Sequence, residues 1–87
     1  MHTDEYEISL GREISLCRRV IKQISKSLHK RENQYGMSTE AFLLALKQNG
    51  KAEQERDFQD WLKEHEELQR WNRMLADYEK AYASLDP

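Results

Sequence analysis

Side chains able to do acid–base, nucleophilic or metal chemistry are few and scattered in this chain. The histidines stand at His2, His29 and His65, and none has another four residues away, so a two-histidine metal helix is absent. Neither His29 nor His65 has a glutamate three residues before it, so the Glu-x-x-His pairs of helical di-iron sites are also missing. One cysteine, Cys17, excludes a disulfide framework and any multi-cysteine zinc module. It reads as a small buried hydrophobe rather than a reactive thiol. Asp57, Asp60, Glu64 and Glu67 share an acidic stripe, but a solvated helix face makes a poor cage for a hard cation. The glycines are isolated from one another, which leaves no phosphate-cradling loop. The expectation is a protein that is not an enzyme and holds no metal or cofactor.

What remains is the chemistry of contact, through charge and aromatic surface. The chain has 14 Lys and Arg against 16 Asp and Glu, a net charge of -2, which excludes a wholly basic nucleic-acid binder. The charge is uneven. Arg12, Arg18, Arg19, Lys22, Lys26, Lys30 and Arg31 fall in one stretch whose only acid is Glu13, while acids dominate after residue 50. Arg18, Arg19, Lys22, Lys26 and Lys30 form a candidate electrostatic patch. One reading is a solvated face that complements the acidic third helix of the same fold. Others are an acidic protein, the acidic helix of a second copy, or nucleic acid. Nucleic acid is disfavoured because no aromatic side chains are interleaved for base stacking.

The elements that must carry these residues are helices. Only three glycines and one proline occur in 87 residues, too few for a turn-rich β domain. Leu10, Ile14, Cys17, Ile21, Ile24, Leu28 and Tyr35 recur at spacings of three and four, interrupted only at Arg31, and predict a helix over about 6–34. Leu16 and Val20 widen its stripe on one side. Gly36 suits a helix end and Ser38 the N-cap of a short helix over about 39–48, apolar nearly all round. Asn49-Gly50 ends it. A third helix over about 53–84 carries Trp61, Leu68, Leu75 and Tyr82 at intervals of seven, flanked by Phe58, Leu62 and His65 on one side and Trp71, Tyr78 and Leu85 on the other. The fold expected is all-α, one domain over 1–87 with residues 1–5 frayed. Two long helices form an antiparallel hairpin, and the short helix covers one end.

Such a hairpin has a thin core. Mean hydropathy is -1.00 and Leu, Ile, Val and Phe together number 17, so stability from a second copy or a partner is expected. Trp61 and Trp71 lie about 80° apart around a helix and cannot both face one neighbour. Trp61, Trp71, Met74 and Tyr78 are therefore candidate anchors for a partner protein, with the core as the competing place for Trp61. The longest fully apolar run, Ala41 to Leu46, is far short of a membrane span, and the charged start is no signal peptide, so a cytoplasmic, non-membrane setting is expected. A helix-turn-helix reading of Gly36-Met37-Ser38 fails on its would-be recognition helix, which lacks polar base-readers.

The stretch from Tyr35 to Trp61 resembles a group of small prokaryotic helical proteins with the pattern YGMS-x-E-x-F, a Gly-containing break, and an acidic stretch ending in F-x-x-W. Tyr35, Gly36, Met37, Ser38, Glu40, Phe42, Gly50, Asp57, Phe58 and Trp61 carry the resemblance, over about a third of the chain. Members of that group look like antitoxin components encoded beside a small toxin. The resemblance implies a helical antitoxin-like subunit that binds and neutralises or regulates a partner protein.

Overall fold

The structure is a computed structural model that describes residues 4–48 and 56–85. It is all-α, with α1 over Glu5–Tyr35, α2 over Thr39–Gln48 and α3 over Arg56–Ala83. The two long helices lie antiparallel and α2 bridges one end of the pair, as the heptad pattern and the two breaks predict. The expected Asn49-Gly50 terminator and the start of the third helix near Glu53 lie outside the described residues.

Local chemistry sets the helix ends. Asp4 caps α1, its carboxylate accepting from the Glu7 backbone N–H at 2.8 Å, so order begins before residue 5 rather than after it. Gly36 closes α1 in the left-handed conformation at φ 66°. The Gly36 N–H donates to the Glu32 carbonyl, and the Met37 N–H reaches back to the same oxygen at 3.1 Å, so both donors past the helix end are used. Ser38 caps α2 by accepting from the Ala41 N–H at 3.1 Å. Ser84 and Leu85 continue the last turn of α3 through bonds to the Lys80 and Tyr82 carbonyls.

The core has two parts. At the bridged end, Leu28, Phe42, Leu46 and Trp61 form a buried cluster, with Ile24, Tyr35, Leu43, Phe58, Leu62 and Leu68 packed against it. Away from it, Leu10, Ile14 and Cys17 continue the seam as buried residues of α1. Three departures from the wheel pattern matter. Leu16 is 39% exposed, so the widened side of the α1 stripe is not covered. Leu44 is 59% exposed, so α2 buries one face and not its circumference. Tyr82 is exposed where the spacing by sevens places it at the centre of the stripe, while Trp71, Tyr78 and Leu85 are half-buried. The seam of α3 thus crosses from the Phe58 and Leu62 flank at the corner to the Trp71 flank at the far end.

Candidate interaction surface

The residues of the Tyr35–Trp61 pattern build the bridged corner. The rings of Phe42 and Trp61 stack at 4.0 Å and 2°, Tyr35 stacks on Trp61 at 5.6 Å, and Phe58 tilts against both Tyr35 and Phe42 at 5.4 Å. Tyr35 donates its hydroxyl to Asp57. Gly36 turns the chain and Ser38 caps α2. Gly50 lies outside the described residues, and Met37 and Glu40 are exposed. The pattern therefore specifies an aromatic corner.

A polar relay locks that corner. Thr39 is buried, and its Oγ1 donates to Glu32 at 2.8 Å while accepting from Trp61 Nε1 at 3.0 Å. The Thr39 backbone N–H donates to the same Glu32 oxygen at 2.7 Å. These two bonds hold the Glu32 carboxyl below the usual carboxylate range, with a smaller contribution from His29. Sequence reasoning missed the relay. Its faint signal is a glutamate four residues before Gly36 and a threonine opening the next helix.

Trp61, an expected docking anchor, is fully buried, with its face on Phe42 and its N–H on Thr39. No ring surface is left for a partner, so it belongs to the corner. Trp71, Met74 and Tyr78 are half-buried. Cys17 is fully buried, and burial pushes its thiol up, with Glu13 adding to the effect. Among the described residues no three His, Cys, Asp or Glu side chains gather in a way that holds a metal ion.

The basic patch divides. Arg18 turns to α3 and pairs with Glu79 at 2.8 Å. Arg31, the break in the heptad, also turns inward. It faces Glu64 at 3.5 Å and donates to the Asp57 carbonyl at 3.3 Å, while Ser27 donates to the other Glu64 oxygen at 2.6 Å. Of the acidic stripe, Glu64 thus faces Arg31 within the hairpin, while the exposed Asp57 carboxylate accepts from Tyr35. Arg19, Lys22, Lys26 and Lys30 are exposed, as is Arg12, and none pairs with a described acid. The reading of the whole basic face as a complement to the third helix holds only for Arg18 and Arg31.

Helix geometry sorts the remaining apolar side chains. The Arg18–Glu79 pair marks one edge of the antiparallel hairpin. Ser25 and His29 of α1 and His65 of α3 share that side, and there α2 roofs a groove of about 370 Å³ lined with Glu32, Thr39 and Leu68. Turning the other way from the seam reaches Leu16 and Val20 on α1 and Trp71, Met74 and Tyr78 on α3. In an antiparallel pair these rotations meet on a single edge. The ion-paired levels, Arg18 with Glu79 and Arg31 with Glu64, place the two groups at matching heights. Between Glu13 and the Ser27–Arg31–Glu64 cluster this second edge is apolar, and no described element covers that stretch.

No protein-family model matches the chain, and neither a curated protein nor a solved structure is similar to it. No described helix is long and apolar enough to cross a membrane.

Proposed function

We propose that the protein is a non-enzymatic interaction subunit that binds a partner protein by helix packing. The open edge built from Leu16, Val20, Trp71, Met74 and Tyr78 supports this reading most directly. Five apolar side chains aligned along two helices offer the i, i+3, i+4, i+7 knobs that an amphipathic helix of a partner receives. Trp71 and Tyr78 are the side-chain types that dominate binding energy when they become fully buried. Charges beside the edge, among them Glu13 and Glu67, fix register and speed encounter.

The resemblance of the corner sequence adds the class of partner. We infer an antitoxin-like role, in which docking on the open edge covers or distorts the active surface of a small toxin encoded nearby. The test is genetic and then physical. The product of the neighbouring gene is expressed alone and together with this chain. Toxicity alone, with relief on co-expression, supports the reading. Met74→Asp and Tyr78→Ala should remove the relief and weaken the purified complex by about 2 kcal/mol or more, roughly 30-fold or more. Circular dichroism should show both variants fully helical. A harmless neighbour, or relief that survives both substitutions, sinks the proposal. A tight homodimer that buries Trp71 and captures nothing else would instead identify a structural adaptor.

A further inference from the structure

A second surface lies on the far side of α1 from its seam. On a helix of 3.6 residues per turn, Arg12, Arg19, Lys22, Lys26 and Lys30 fall within about 80° of one another, centred about 170° from the line of Leu10, Ile14, Cys17, Ile21, Ile24 and Leu28. They span about 27 Å of axis. All five are exposed, and none pairs with a described acid. Between Arg12 and Lys30 the same stripe holds only uncharged Ser15 besides the cations, with Gln23 and His29 at its margins. Asp57, Glu64 and Glu79 already bond Tyr35, Ser27, Arg31 and Arg18 on the α3 side of the hairpin. They cannot reach around α1 to neutralise the stripe.

A second copy does not supply the complement. The outward face of α3 carries Lys63, Glu66, Arg70, Arg73, Asp77 and Lys80, a mixed face with more cations than acids. The outward face of α3 in a second copy thus offers no acidic complement, and an external polyanion fits the stripe. Duplex nucleic acid carries one negative charge per about 1.7 Å of axis. Its major groove, about 12 Å wide, admits one α-helix. The outward half of α1 is free of α2 and α3, as such docking requires. The absence of aromatic side chains from the stripe argues against single strands, which need stacking platforms, and leaves duplex backbones untouched as ligands.

We propose that the outward face of α1 is a phosphate-contact surface for duplex nucleic acid, bound through charge without base readout. The test is fluorescence anisotropy of the full chain with a labelled DNA duplex of about two turns, roughly 20 base pairs. Five phosphate contacts give a slope of log affinity against log salt of about -4.5, a loss of several hundred-fold between about 50 and 200 mM salt. K22E/K26E/K30E should abolish binding, while each single Lys→Ala reduces the slope by about one. R70E/R73E on α3 and Met74→Asp on the open edge should leave it unchanged, so failure here is distinct from failure of the protein-docking role. Absence of binding at the low salt, or binding that survives the triple reversal, overturns the proposal. So does a preference for single strands. Polyglutamate bound more tightly than duplex through the same lysines would assign the surface to an acidic protein instead.

Discussion

Thr39 shows how much one hydroxyl does at the corner. It has one proton to give and lone pairs to receive with, and it gives to Glu32 and receives from the Trp61 indole. Thr39→Ala leaves a buried indole N–H without an acceptor, and should cost about 1–3 kcal/mol in urea denaturation, with Thr39→Ser recovering most of it. Glu32 makes the relay sensitive to acid. Its folded value lies below the unfolded one, so its stabilisation is present above the unfolded value near about pH 4.3 and is lost as pH falls through the folded value. Glu32→Gln should therefore be less stable than the parent at neutral pH, and the gap between them should narrow across the acid range. At this scale the sequence announced Gly36, Ser38 and the four rings. It did not announce the relay, because Glu32, Thr39 and Trp61 come from three helices and no spacing rule connects them.

At the scale of the element, two glycines with equal space predict opposite outcomes. A Cβ added at Gly11 or at Gly36 meets nothing within 4 Å. Gly11 lies inside α1, where alanine is favoured, so Gly11→Ala should stabilise by about 0.5–1 kcal/mol. Gly36 sits at φ 66°, where an L side chain costs about 1–2 kcal/mol, so Gly36→Ala should destabilise by that amount. Thermal melts followed by circular dichroism would read both, at several degrees per kcal/mol for a domain of this size. The α1 seam was legible from its three-four spacing, and Leu10, Ile14, Cys17 and Leu28 are buried along it. The break at Arg31 was legible as a break, but its filling was not. Glu64 meets Arg31 only because the hairpin brings the two to one level.

The whole molecule is a rod of 59 × 20 × 17 Å. Its radius of gyration is 17.4 Å, against about 12 Å for a compact domain of this length. Such a shape has much edge and little centre, so the distribution of its edges decides what it binds. The corner helix α2 covers one edge at the bridged end, a stretch of the other edge is apolar, and the Arg12, Arg19, Lys22, Lys26 and Lys30 stripe lies on the side of α1 away from its seam. The two tryptophans report on this division. Trp61 is sealed in the corner and Trp71 is half-buried. Acrylamide quenching of the isolated chain should reach Trp71 and spare Trp61. Addition of the cognate partner should protect Trp71, and Trp71→Phe should abolish the change. Quenching of Trp71 that a bound partner leaves untouched would place docking elsewhere.

The amino-acid order alone determined the helices, the Gly36 and Ser38 ends and the α1 seam, because these depend on residues a few positions apart and on backbone preference. It also determined that the charge is divided, since the order of the residues fixes that. Only the tertiary structure decided which side each residue faces. An antiparallel pairing at one register turned Arg18 and Arg31 toward α3, sealed Trp61, and gathered Leu16, Val20, Trp71, Met74 and Tyr78 on the edge opposite α2. The physical reason is that a wheel gives angles around one helix. The zero of that angle is set by the neighbour, and it was fixed here by the burial of Leu10, Ile14, Cys17 and Leu28 on α1 and by the stacking of Trp61 on Phe42.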